Sequence, residues 1–258
     1  MKELSMRVLT GVIGIFLLIF VILKGELYLS FSIFILSIIG LREFYEALNN
    51  INIRTVNFIG YISSLGIFAS NVYEEISIES ILALTLIGLL IFFLFSKNIT
   101  MGDIGMTLLG IMYIPFLLSH VYYLNGTKYI WLIFIMAFGT DTFAYIAGNL
   151  FGKNKLSPSI SPNKTIEGSI GGILGSLILT IVYSLSFGLS PLWKFMILAI
   201  IASIISQIGD LVASKIKRIA NIKDYGFIMP GHGGVLDRFD SIIFSAPLIY
   251  YFTRCFLI

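Results

Sequence analysis

The sequence predicts an all-α fold, a polytopic integral membrane bundle of about nine transmembrane helices with the N-terminus cytoplasmic. Three observations carry this reading. The chain is 57% hydrophobic and 14% aromatic, with a mean hydropathy of +0.96. Only 12% of its residues are charged, against roughly 25% in soluble domains. Its apolar residues fall in continuous runs of near-spanning length rather than in alternation, which favours helices over a membrane barrel.

The first run, Val8–Leu23, follows Lys2 and Arg7 as a secretory signal would. It is long for a signal core, and LKGELYLS after it has no small-x-small cleavage site, so it reads as the first span. The others lie near Leu27–Leu41, Phe58–Val72, Ile81–Ser96, Gly105–Tyr123, Tyr129–Leu150, Ile166–Phe187, Leu192–Val212 and Ser241–Ile258. With the N-terminus inside, thirteen of the 17 lysines and arginines fall on the inner side; Lys24, Lys128, Lys194 and Arg254 fall outside. The acidic group Glu74, Glu75 and Glu79 also falls outside, and the lysine and arginine split is the one the positive-inside rule favours. An error of one helix would scramble this alternation. Tyr122, Tyr123, Tyr129 and Trp131 flank the outer NGTK turn as an interfacial aromatic belt, with His120 as an interfacial polar residue. The single cysteine, Cys255, excludes an internal disulfide.

The chain reads as one membrane domain, 1–258, that changes character along its length. Residues 1–128 are hydrophobic spans with short polar joints, whereas 129–258 add intramembrane carboxylates, glycine pairs and longer inner loops. Asp141 stands within IFIMAFGTDTFAYIAGNLFG, and Asp210 ends the run IIASIISQIGD. A carboxylate at the centre of a lipid-exposed helix costs on the order of 2.5–3.5 kcal/mol. These groups must therefore face the bundle interior, a cavity or a cation; a structural ion pair between helices is the alternative. Asp210 and Ser214 are i, i+4, and Asp237 and Asp240 are i, i+3 on one face if Asp237 begins the last helix. Hard oxygen donors without clustered His or Cys suit Mg²⁺ rather than zinc.

Basic residues surround these acids. Lys217, Arg218 and Lys223 precede the loop GFIMPGHGG, whose glycines allow backbone amides to approach an anion. Lys153, Lys155, Lys164 and Thr165 lie in a second loop, with Lys164 and Thr165 just before a helix, where phosphate is favoured. Attraction to anionic lipid would account for any one lysine. Several motifs are absent: GNLFGKNK is not a P-loop, HGG lacks a GxSxG partner, and GSIGGILG lacks the GxGxxG order. The pairs Gly168/Gly172, Gly171/Gly175, Ala144/Gly148 and Gly148/Gly152 read as close helix packing.

The segment SKIKRIANIKDYGFIMPGHGGVLDRFDS, Ser214 to Ser241, resembles the signature of the phosphatidate cytidylyltransferases, or CDP-diacylglycerol synthases. Its parts occur in order: Ser-x-x-Lys-Arg, Lys-Asp, Pro-Gly-His-Gly-Gly and Asp-Arg-Phe-Asp. Met229 is a conservative departure. GTDTFAYIAGNLFGK, SPNKTIEG and QIGDLVAS resemble family segments too, so the match is dense over about Gly139–Ser241. The resemblance implies transfer of CMP from CTP to phosphatidic acid, giving CDP-diacylglycerol and pyrophosphate. It implies Mg²⁺, with a second cation such as K⁺, and a homodimer. Carried over, it makes Asp210 and Asp237 metal ligands, with Asp240 and Ser214 in or beside that shell. Lys217, Arg218, Lys223, Lys164 and Thr165 would address phosphates; Asp141, Asp224, His232 and Arg238 complete the expected substrate site. Short loops point to a bacterial inner membrane, with the site on the cytoplasmic side. A secondary transporter would also use intramembrane Asp141 and Asp210, but no internal repeat is visible. A CDP-alcohol phosphotransferase would need an Asp-Gly-x-x-Ala-Arg start, which is missing. A polyprenol kinase or CDP-archaeol synthase would share the CTP-side residues and differ in the acceptor.

Overall fold

The computed structural model describes residues 2–228 and 233–257, with side chains from Thr10 onward. Among these residues the regular elements are all helical apart from one short hairpin. Two compact units emerge, one containing residues up to Asn125 with Ile219–Arg238, the other Gly126–Arg218 with the residues from Phe239. The sequence reads as one domain changing character near residue 128; the units divide close to that point and place the 219–238 segment with the N-terminal helices.

The first unit holds α1 (Lys2–Lys24), α2 (Glu26–Asn49), α3 (Asn57–Val72) and α4 (Ile78–Phe95). A longer rod follows, made of α5 (Met101–Ile111), a π-helical stretch (Met112–Phe116) and α6 (Leu117–Tyr122). Pro115, which has no amide to donate, lies within the π stretch and accounts for the widened turn. Local chemistry sets the helix starts. Ser77 caps α4 by accepting from Ser80 N, and Thr100 and Asp103 form a reciprocal capping box on α5. Asp103 also accepts from Arg54 N at 2.7 Å, tying the α2–α3 joint to α5. Leu41, Phe44, Tyr45, Leu48, Ile111 and Ile114 are fully buried at the centre. Opposite them, α4 exposes Leu84, Ile87, Leu90, Ile91, Leu94 and Phe95. A surface that apolar suits lipid rather than water.

The second unit holds α7 (Ile130–Phe151), α8 (Ile166–Ser186), and most of α9 (Leu192–Ile219) and α10 (Leu236–Phe256). Helices α7 and α8 pack with almost no side chain between them. A Cβ on Gly168 would stand 2.8 Å from the Ala144 carbonyl oxygen, and one on Gly172 2.9 Å from that of Thr140. The glycine pairs of the sequence thus serve helix packing.

Four features depart from the sequence-based expectation. Strands β1 (Lys155–Ser157) and β2 (Ser161–Thr165) form an antiparallel hairpin where an irregular loop is expected. SPSISPN has no apolar alternation, so nothing in the pattern announces strands. Helix α9 runs seven residues past Val212, to Ile219, because DLVASKIKRI loses hydropathy without losing helix propensity. Helix α10 starts at Leu236 rather than Ser241, so Asp237 and Asp240 stand in its opening turns. His120, expected at the interface, is 1% exposed, its Nδ1 3.0 Å from the Phe116 carbonyl oxygen.

Among the described residues, six of the helical rods are long and apolar enough to cross a membrane: α2, α4, the α5–α6 rod, α7, α8 and α9. The other three expected spans differ for separate reasons. Helix α1 is described with its side chains only from Thr10, and from there to Lys24 it is apolar; α3 has 16 residues; and α10 carries Asp237, Arg238, Asp240 and Arg254.

Candidate active site

The second unit gathers most of the singled-out acids and bases. Asp210, on α9, forms an ion pair through Oδ2 with Lys164 of β2. Its Oδ1 accepts from the Ser214 hydroxyl, one turn on, at 3.2 Å. Because α9 continues to Ile219, Lys217 and Arg218 occupy its last turn, where cations favour the negative end of the helix dipole. Arg218 Nε also donates to the Ile160 carbonyl oxygen at 3.3 Å, fastening that turn to the hairpin.

Asp240 is 7% exposed and lies within the fields of Asp210, Asp141 and Lys217. Its Oδ1 accepts from Ser241 N at 2.7 Å, while the Ser241 hydroxyl donates to Asp141 Oδ2 at 3.4 Å. Gly209 makes this crowding possible. A Cβ there would stand 2.7 Å from the Asp240 carbonyl oxygen and 3.0 Å from Phe244 Cβ, so the α9 backbone lies against both backbone and side chain of α10. Three carboxylates in one neighbourhood repel unless positive charge enters. Lys164 and Lys217 supply part of it.

Thr165 has a structural task. Its hydroxyl caps α8 by accepting from Gly168 N at 3.1 Å, and it packs against Gly148 and Gly152. Glu167, in the first turn of α8, accepts from the amides of Lys153 and Asn154 at 3.1 and 3.2 Å and from Asn154 Nδ2 at 2.8 Å. It sets the turn that launches the hairpin.

The first unit holds the remaining residues. Lys223 is exposed and Asp224 half-buried on the segment leading to α10, and Arg238 is exposed in that helix's first turn. His232 lies outside the described residues. Asp237 Oδ2 accepts from Tyr225 N at 2.9 Å and Gly234 N at 3.0 Å. Glu43 of α2, 2% exposed, accepts from Val235 N through Oε1 and Leu236 N through Oε2, both at 2.9 Å. The sequence suggests that the amides of GFIMPGHGG await an anion; that of Gly234 holds Asp237, and the flanking amides of Tyr225, Val235 and Leu236 likewise hold the protein's own carboxylates.

Glu43, Glu167, Gly209 and Ser241 were not singled out by the sequence. Ser241 only closes the signature, Gly209 precedes an aspartate with no glycine partner, and Glu43 is 192 residues from Val235. No local spacing announces any of these roles.

The donor set for a metal consists of carboxylate and hydroxyl oxygens. Among the described residues, no three His, Cys, Asp or Glu side chains form a group able to hold an ion by themselves. Mg²⁺ seldom needs such a cage, since it keeps several waters and takes one or two carboxylates plus substrate phosphates. Asp210 and Asp240, hard-oxygen donors in a neighbourhood short of positive charge, fit that requirement.

Comparison with known proteins covers nearly the whole chain. The model of the cytidylyltransferase family matches residues 5–256. The chain is 39% identical over 258 residues to the phosphatidate cytidylyltransferase of Staphylococcus saprophyticus, covering 95% of this chain and 97% of that protein. It is 38% identical to that of Staphylococcus haemolyticus over 258 residues, with the same coverage. With that of Staphylococcus aureus the identity is 37% over 257 residues, again 95% and 97% of the two chains. From residue 5 to residue 256, through both units and all the acids and bases above, this chain belongs to the cytidylyltransferase family.

Proposed function

We infer that the chain is a phosphatidate cytidylyltransferase, a membrane-embedded enzyme that transfers CMP from CTP to phosphatidic acid, giving CDP-diacylglycerol and pyrophosphate. The observation that carries this is the grouping of Lys164, Asp210 and Ser214 beside buried Asp240, in a chain matching phosphatidate cytidylyltransferases over 95% of its length. Neutral or apolar chemistry would give such a site no use. Phosphoryl chemistry needs both signs of charge.

A phosphate oxygen of phosphatidic acid attacks the α-phosphorus of CTP. A new P–O bond forms there, the bond to the α,β-bridging oxygen breaks, and pyrophosphate departs. The acceptor brings its own nucleophile: a phosphomonoester has a second pKa of about 6 and is largely a dianion near neutrality. A general base is therefore not obligatory. The difficulty is to bring an anion against a polyanion, so the protein's work is neutralisation and alignment. Lys164, Lys217 and Arg218 take the triphosphate and the departing pyrophosphate, a role that the family resemblance alone extends to Lys223, while Ser214 orients Asp210. Asp210 and Asp240 would hold Mg²⁺, which when bound supplies further neutralisation of phosphate charge. Asp141 reaches the same neighbourhood through Ser241. Asp237, a metal ligand by the family resemblance, enters here as the carboxylate that shapes the loop leading into α10.

The membrane assignment extends to nine spans with the site on the cytoplasmic side of the cell membrane. The inward bias of lysine and arginine supports this orientation, and CTP is met there. A homodimer and a second cation such as K⁺ rest on the family resemblance. The test is pyrophosphate release by the purified protein in detergent with CTP, phosphatidic acid and Mg²⁺. Release that needs all three is expected. Silence from protein shown to be folded would overturn the assignment.

A further inference from the structure

The segment between α9 and α10 is held by two carboxylates that share no sequence neighbourhood. Asp237 takes the amides of Tyr225 and Gly234. Glu43 takes those of Val235 and Leu236, the last residue before α10 and the first within it. The first amides of a helix have no partner within it, and they lie at the positive end of its dipole. A buried anion is welcome there. The packing around Glu43 fits the same purpose. A Cβ at Gly226 would stand 2.5 Å from Glu43 Oε1, and one at Gly234 2.6 Å from it. Two glycines of the segment therefore leave the space that Glu43 fills, and Gly233 turns the chain with φ +91°.

We propose that Glu43 is a positioning residue for the transfer reaction: its buried carboxylate fixes the start of α10, and with it Asp237 and, one turn later, Asp240. Each carboxylate oxygen serves one amide, so both oxygens are needed. A glutamine of the same shape offers one acceptor, and its NH₂ group would face the other N–H donor to donor. The start of α10 then loses one of its two anchors while the apolar packing of α2 is kept. The effect belongs to alignment, and alignment appears in turnover: displacements near 1 Å cost on the order of 10²-fold.

The inference rests on the cytidylyl-transfer reading, so the experiment has one arm independent of it. Hydrogen exchange in the wild-type protein, read on peptides spanning residues 233–238, should show Val235 and Leu236 amides protected, although amides at a helix start usually exchange freely. Wild-type amides exchanging at open-loop rates would overturn the tether without reference to activity. In Glu43→Gln, protection at Val235 and Leu236 should fall while α2 peptides keep theirs. The kcat for pyrophosphate release should fall by about tenfold or more, with KM for CTP within about threefold. A folded Glu43→Gln with lost protection and wild-type kcat would leave Glu43 a stabilising cap and overturn its positioning role. If wild type releases no pyrophosphate, the transfer reading fails and exchange alone judges the tether.

Discussion

Lys164 of β2 and Asp210 of α9 form an ion pair in which the side chains are 26% and 27% exposed. The hairpin is thereby latched onto the helix that also carries Ser214, Lys217 and Arg218. A partly exposed pair of this kind stabilises a fold by about 1 kcal/mol or less, so its value lies in where it puts the charges. Lys164→Ala should leave the unfolding midpoint within a few degrees of wild type and reduce kcat/KM for CTP by about tenfold or more. Steady-state kinetics beside a thermal melt in detergent checks both. Unchanged kinetic constants would remove Lys164 from the phosphate site.

Asp210→Asn isolates charge from shape. The amide oxygen still accepts from the Ser214 hydroxyl, now 3.2 Å from Asp210 Oδ1, while the pairing with Lys164 disappears. Turnover should be lost, with monodispersity and melting close to wild type. An active Asp210→Asn enzyme would show that this carboxylate's charge is not needed.

Asp237 separates two tasks with two substitutions. Both of its described amide contacts end on Oδ2, from Tyr225 N and Gly234 N. An asparagine with its oxygen in that place keeps both; an alanine keeps neither. Asp237→Asn should therefore retain the order of the loop, and Asp237→Ala should expose it to trypsin at Lys223. If turnover falls in both, the charge is required as well as the shape. If Asp237→Asn remains active, loop geometry is the whole contribution.

Much of this was legible in the sequence, for physical reasons. Continuous apolar runs announce helices because lipid leaves the backbone no other partner. The acids stand out because charge is scarce in this chain, and Asp210, Ser214, Lys217 and Arg218 share one helix, where spacing predicts geometry. The misses have the opposite character. The 155–165 hairpin carries no apolar alternation. Glu43 meets its partners at Val235 and Leu236 through tertiary structure, and in the sequence it is one more polar residue near the end of a span. The glycines of GFIMPGHGG suggest amides open to an anion, but sequence does not say whose anion. At Gly234, and at Val235 and Leu236 just after the segment, it is the protein's own.

Gly209 offers the sharpest steric test, because the nearest atom is backbone. A Cβ there would meet the Asp240 carbonyl oxygen at 2.7 Å and two Phe244 side-chain atoms at 3.0 Å. A rotamer change can move Phe244 aside; it cannot move the α10 backbone. Gly209→Ala should thus push α9 and α10 apart where Asp210 and Asp240 stand, destabilising the protein by about 1–3 kcal/mol and lowering turnover beyond what the lost stability explains. Gly88→Ala is the matched control, since nothing lies within 4 Å of a Cβ at that helical position. It should keep full activity and melt at or slightly above the wild-type temperature, as alanine is the better helix former. Equal behaviour of the two variants, in melts and in pyrophosphate release, would show that the close approach at Gly209 is not what brings the aspartates together.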